Sequence, residues 1–209
     1  MSTEKMLKPT VYGVGVNDVD YVVQKWEEIG YIDGKRKKKL VWICPYYLAW
    51  RNMLKRCYSS KWQEKYPTYI GCSVAEEWKY LSVFKAWMEG QDFKDKQLDK
   101  DLLFEGNKVY SEEACVFVSG MVNNFTLDSG ASRGEWLIGV NRDKRAGKFR
   151  SMCRNPLTNK HEHLGLFTSE LEAHQAWLKR KLELAHLIAA EQTDERVGKA
   201  LIERYTNYL

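Results

Sequence analysis

Apolar residues recur at three- and four-residue spacing over parts of this chain and alternate with polar ones over others, the pattern of a mixed α+β protein. Tyr47, Trp50, Leu54 and Tyr58 trace one face of a helix over residues 45–59. Trp78, Leu81, Phe84, Lys85 and Met88, with Ala75 and Trp87 beside them, predict a second over about 74–88. In the last third the period changes to two, and three strands are expected over 137–142, 148–154 and 162–167. Along the second, Phe149, Ser151 and Cys153 alternate with Lys148, Arg150, Met152 and Arg154, which sends the cations to one face. Ser169 and Glu172 have capping-box spacing and open a helix to about residue 190, with Leu171, Ala173, Ala176, Trp177, Leu184 and Ile188 as its buried positions. A final helix over 195–208 is capped by Thr193 or Asp194; its Val197, Leu201, Ile202 and Tyr205 pack either on the domain or across a homodimer.

The first forty residues are less regular. Residues 1–10 read as a loose tail and 12–16 as a strand or loop. Gly13 and Gly15 form a G-x-G, but the third glycine and the βαβ unit of a dinucleotide site are lacking. Asn17 or Asp18 would cap a short helix through Trp26 and Ile29, ended by Gly30. An Asp33-Gly34 turn then leads through an exposed basic loop, Lys35, Arg36, Lys37, Lys38 and Lys39, into a strand over 40–44.

Composition narrows the class. The 209 residues, 44% hydrophobic and 29% charged, suffice for a core in one domain or two small ones. No apolar run approaches the ~20 residues of a membrane span, and the start lacks the apolar stretch of a signal peptide, so the expected location is the cytoplasm, the host's if the chain is phage-encoded. Five cysteines without a CxxC pair point to buried thiols ahead of disulfides or zinc. The net charge of +5 is unevenly spread: residues 132–160 hold eight Lys/Arg against two acids, so this window is +6 and the remainder −1. Such segregation is the footprint of a face for a polyanion.

Two resemblances sharpen this picture. Ile138-Gly139-Val140, the basic Lys148-Phe149-Arg150, Leu164-Gly165-Leu166-Phe167, and a helix carrying Ala173 and Ala176 together resemble the AP2 integrase-like DNA-binding domain. That family lays a three-stranded sheet into the major groove. His174 and Trp177 depart from the plant-type pattern, where further alanines and a Tyr are usual. Upstream, Trp50-Arg51-Asn52-Met53-Leu54-Lys55-Arg56-Cys57-Tyr58 and the segment 98–125 resemble phage homing endonucleases of the HNH class. Asp99 matches the family's Asp, Gly106-Asn107 its turn, and Tyr110-Ser111 its second strand. Asn123 lies near its final Asn or His, but Lys100 stands where the His general base belongs and Ala114 where an Asn is usual.

The implied fold is α+β: a degenerate ββα-metal-like unit among helices, followed by an AP2-like three-stranded antiparallel sheet plus helix. The implied division is an N-terminal segment to 44, an HNH-like domain over 45–130, an AP2-like domain over 131–190 and a C-terminal helix over 191–209. A lysine at its reference pKa of about 10.4 takes up no proton at neutral pH and repels a divalent cation. The first expectation is therefore a phage-type protein that binds double-stranded DNA on a retired nuclease scaffold, without a cofactor. Its contacts are Lys35 to Lys39, Trp136, Arg142, Lys144, Arg145, Lys148, Arg150 and Arg154. The second is a Mg²⁺-dependent endonuclease, with Asp99 and Asp101 as metal ligands on one strand face and Asn123, or alternatively Asn107, completing the catalytic set. The third is a phage inhibitor that binds a host protein through the aromatic surface supplied by eight Trp and twelve Tyr.

Overall fold

A computed structural model describes residues 10–127 and 135–207. The N-terminal tail, the expected boundary at 130/131, Arg133 of the basic window and residue 208, the expected end of the last helix, lie outside the described residues. The elements in chain order are β1 (Gln24–Ile32), β2 (Lys35–Ile43), α1 (Pro45–Tyr58), α2 (Ser60–Lys65), β3 (Ser73–Val74) and α3 (Leu81–Glu89). There follow β4 (Gln97–Asp99), β5 (Val109–Tyr110), β6 (Val116–Val118) and α4 (Gly120–Thr126). The last are β7 (Val140–Asp143), β8 (Lys148–Asn155), β9 (Lys160–Phe167), α5 (Glu170–Ala189) and α6 (Glu195–Thr206). The protein is α+β and divides into two compact units. No described helix is long and apolar enough to cross a membrane.

The first unit holds the described residues up to Phe93 together with Phe104–Cys115. Its core is built by Trp50, Met53 and Leu54 of α1 against Trp78, Leu81, Phe84 and Met88 in and beside α3, all buried. The Trp50 indole N–H donates to the Trp78 carbonyl at 2.8 Å, so the largest core side chain leaves no polar atom orphaned. Gly15 packs directly on Trp50 and Leu54, where a Cβ would lie 2.3 Å from Leu54 Cδ1, so this glycine serves packing.

Three expectations are corrected here. The helix expected after Asp18 is instead β1, paired antiparallel with β2. Asp18 caps a helix all the same, but a distant one: its Oδ1 accepts from the Ser82 backbone N–H at 2.9 Å in the first turn of α3. The basic run 35–39 is part of the ladder of β2, joined to β1 through Asp33 and Gly34, both at positive φ as a two-residue hairpin favours. The single helix over 74–88 is broken into β3, a 3-10 turn at Glu77–Lys79 and α3, because Tyr80 is extended and its neighbours bond Val16.

The second unit comprises Lys94–Leu103 and the described residues from Val116 onward. β4 pairs antiparallel with β6, and β7, β8 and β9 form a three-stranded antiparallel meander. α5 packs across that meander. Its N-terminus carries the full capping box, with Ser169 Oγ accepting from Glu172 N–H and the Glu172 carboxylate accepting from Ser169 N–H. Trp177, Leu178, Leu184, Ala185 and Ile188 of α5 join Val116, Val118, Val122, Phe125, Cys153, Val197 and Leu201 in one core, so α6 packs within this unit. Asp194 is the cap of α6.

Two contacts seat α5 on the sheet. Gly139, at φ +81°, lies against the Trp177 ring, and a Cβ there would come within 2.1 Å of it. That turn also explains why the first strand begins at Val140 and not at Leu137. The Arg180 guanidinium reaches Glu162 on β9 through Nε at 2.7 Å and Nη2 at 3.1 Å, a two-point ion pair between helix and sheet. Arg180 first, with Asn155, holds the Glu162 carboxyl down to about 2.

Gly139→Ala should therefore destabilise the chain by about 2–4 kcal/mol in urea unfolding, combining a steric clash with left-handed strain. The Glu162 pair gives a signed pH effect: a carboxyl depressed in the folded state adds stability above its unfolded pKa and loses it as pH falls. Glu162→Gln should lower the thermal midpoint at pH 7, and the difference from wild type should narrow as pH drops from 4.5 toward about 2.

Candidate nucleic-acid interface

The three-stranded sheet has one covered face and one open one. β8 alternates between them: Ser151, Cys153 and Asn155 are buried on the α5 side, and Lys148, Arg150, Met152 and Arg154 point the other way. Burial pushes the Cys153 thiol up to about 11, which leaves it an inert core group. All five cysteines are buried, and no disulfide joins them among the described residues.

Register fixes which side chains share the open face. Arg150 lies between Asn141 on β7 and Leu166 on β9, Lys148 beside Asp143, Met152 beside His163, and Arg154 beside His161. A bulge opposite the Ser151/Met152 step, with Leu164 as the extra residue, shifts the phase of β9 by one, so His161, His163 and Leu166 all emerge on this side and all are exposed. Asn141, Leu166 and the two histidines are absent from the sequence-predicted interface. The period of the third strand signals the histidines, but only the register adds Asn141 and Leu166.

The cations here are held in different ways. Asp143 Oδ1 accepts from the backbone N–H groups of Arg145 and Ala146, which ties the β7–β8 turn, and its other oxygen pairs with Arg150. The Ala146 N–H and then Arg150 hold the Asp143 carboxyl below the usual carboxylate range. Arg154 donates to Asn159 Oδ1 at 2.6 Å, which leaves its remaining N–H groups available. Lys144 and Arg145 sit in the exposed turn. Arg142 and Trp136 do not join the open face. Arg142 lies over the Phe149 ring at 4.5 Å, and Trp136 meets the same ring edge-on at 5.3 Å. Lys35 to Lys39 lie in the first unit, on β2.

The expected nuclease centre is arranged differently from its sequence reading. β4 ends at Asp99, so Asp101 lies beyond the strand and not beside Asp99 on one strand face. Asp99 Oδ1 accepts from the N–H groups of Asp101 at 2.9 Å and Leu102 at 2.7 Å, closing the turn after the strand. Burial first, and Asp101 second, raise its pKa. Lys100, only 6% exposed, sets its ammonium 3.1 Å from Asp101 Oδ2. Asn123 on α4 donates to the Gln97 side chain at 2.9 Å and fastens the helix to β4. Asn107 bonds both backbone groups of Val109 in the turn before β5.

This donor set does not fit Mg²⁺. One carboxylate is spent on backbone donors, the other faces an ammonium, and no group of three His, Cys, Asp or Glu converges among the described residues.

A scaffold role for Asp99 separates two substitutions. Asp99→Asn keeps an acceptor for both N–H groups and removes a desolvated charge, so the folded chain should be at least as stable at pH 7. Asp99→Ala leaves the two donors unmatched and should cost about 1–3 kcal/mol in denaturant unfolding. A Mg²⁺-dependent rise of the wild-type midpoint, lost in both variants, would assign the carboxylate to a cation instead. Compared with protein-family models, curated proteins and solved structures, the chain matches none.

Proposed function

We propose that this chain is a phage-type DNA-binding protein that docks the open face of β7–β9 on duplex DNA, on a scaffold related to HNH homing endonucleases but lacking their catalytic base. One observation carries the reading: α5 covers one face of the sheet and leaves Lys148, Arg150 and Arg154 together on the other. Phosphate recognition needs cations on a surface free to approach the duplex, and base reading needs donors with fixed geometry. Arg150, braced by Asp143, is the preorganised donor of the set, and a guanidinium in that position suits the two acceptors of guanine. Exposed Asn141, His161 and His163 add further hydrogen-bonding groups beside it. The kinship with the nuclease scaffold rests on the sequence resemblance: Tyr110, matched there to the family's second strand, belongs to β5 and pairs parallel with β3, and the strand that pairs antiparallel with β4 ahead of α4 is β6. The bonds of Asp99 and the Lys100–Asp101 pair favour binding over cleavage.

The test is a plasmid experiment read two ways, by mobility shift and by nicking, with Mg²⁺ and with EDTA. A salt-sensitive shift in either condition is expected. Replacing Lys148, Arg150 and Arg154 with Gln should weaken binding by about two orders of magnitude at ~0.1 M salt. Metal-dependent nicking abolished by Asp101→Ala would overturn the binding-only reading in favour of the endonuclease. Neither shift nor nicking would overturn DNA as the partner.

A further inference from the structure

The β1–β2 hairpin is a second cationic surface, and it lies in the other compact unit. Nearly every residue of both strands is exposed, so the ribbon is no layer of a core. A two-stranded ribbon without a covered face is marginal by itself in water. It nevertheless exposes Trp26 at 52% and Tyr31 at 67%, more apolar surface than a solvated connector requires.

The register divides its charges unequally. Arg36 and Lys38 share a face with Tyr31, Glu28 and Trp26. There Arg36 is already engaged, donating to Glu28 at 2.9 Å and lying over the Tyr31 ring. Lys35, Lys37 and Lys39 occupy the opposite face, across from Ile32, Gly30 and Glu27. None of these three enters an ion pair among the described residues. Gly30 opposite Lys37 keeps the middle of this face low. Successive lysines stand about 6.7 Å apart along an extended strand, and nine residues span about 30 Å.

We infer that the lysine face of the β1–β2 ribbon is a second contact to duplex DNA, a sequence-independent arm lying lengthwise in the major groove with Lys35, Lys37 and Lys39 on the phosphates. The inference takes the identity of the polyanion from the reading of the three-stranded sheet, but needs no contact by that sheet. A two-stranded ribbon fits the B-form major groove, about 12 Å wide. The deep, narrow major groove of A-form RNA excludes it.

The experiment is a fluorescence anisotropy titration of the full chain on a duplex of about 30 base pairs, from roughly 50 to 300 mM KCl. Three variants are compared with wild type: Lys35, Lys37 and Lys39 to Gln; Arg36 and Lys38 to Gln; and Lys148, Arg150 and Arg154 to Gln. All the changes are on exposed or half-exposed side chains, and circular dichroism confirms folding. The lysine-face variant should flatten the log–log salt slope by about 2.7, at about 0.9 per released counterion, and the opposite-face variant by less than half of that. The same loss from both ribbon faces would overturn the face assignment. An unchanged slope in the lysine-face variant, with a reduced slope in the sheet variant, would overturn the arm and leave the sheet reading standing. A reduced slope in the lysine-face variant with none in the sheet variant would support the arm and overturn the sheet. Equal slopes on an RNA duplex would overturn groove docking, as would a ribbon variant that changes only self-association in sedimentation.

Discussion

The second unit depends on one carbonyl. Phe125 O, in the last turn of α4, accepts from the Lys181 ammonium at 2.5 Å and from the Tyr205 hydroxyl at 3.0 Å, so one oxygen joins α4, α5 and α6. The last carbonyls of a helix have no partner within it, and a seven-residue helix has few bonds with which to hold itself together. Burial lowers Lys181 to about 7, which disfavours the charged form. The rings of Phe125, Tyr205 and Trp177, at 3.4, 4.9 and 5.5 Å, present their faces to the ammonium and offset part of that penalty. A buried lysine is therefore tolerated here because its surroundings supply both an acceptor and π-faces.

From that anchor the character of the sheet follows. α5 is twenty residues long, about 30 Å, enough to cross three strands while still meeting α4 and α6. Trp177 belongs to both contacts, since it lies on Gly139 at the sheet and faces Lys181 at the helices. Once one face of the meander is closed by the helix, strand alternation alone delivers the other to solvent, with its cations in register. Charge segregation along the sequence thus becomes segregation in space without any loop having to be placed with precision.

Much of this was legible in the chain. The capping box at Ser169, the alternation along β8 and the three- and four-residue spacing in α1 are local signals whose cause lies within a few residues. The errors have non-local causes. Asp18 looks like the cap of the next helix, but its carboxylate bonds Ser82, 64 residues away, and the segment behind it is free to pair as β1. Five consecutive cations repel one another and suggest a loop, yet alternation in a ribbon sends neighbours to opposite faces, with Glu27 and Glu28 standing across from Lys39 and Lys38. The bulge at Ser151/Met152 leaves no trace in the periodicity of β8, and it decides that Leu166 shares a face with Arg150.

Lys100 shows how the segment after β4 balances its own charge. Two carboxylates close in sequence, one half-buried and one exposed, raise the electrostatic free energy of the folded chain unless positive charge lies nearby. In a metal-dependent enzyme a divalent cation supplies that charge. Here the Lys100 ammonium, 3.1 Å from Asp101 and nearly buried, supplies it from within the chain. The two backbone N–H groups on Asp99 contribute the rest. A histidine at this position, with its reference pKa near 6.5, would be largely neutral at pH 7 and would leave the carboxylates to seek a cation. Lys100 thus lets the segment hold its carboxylates together with charge of its own.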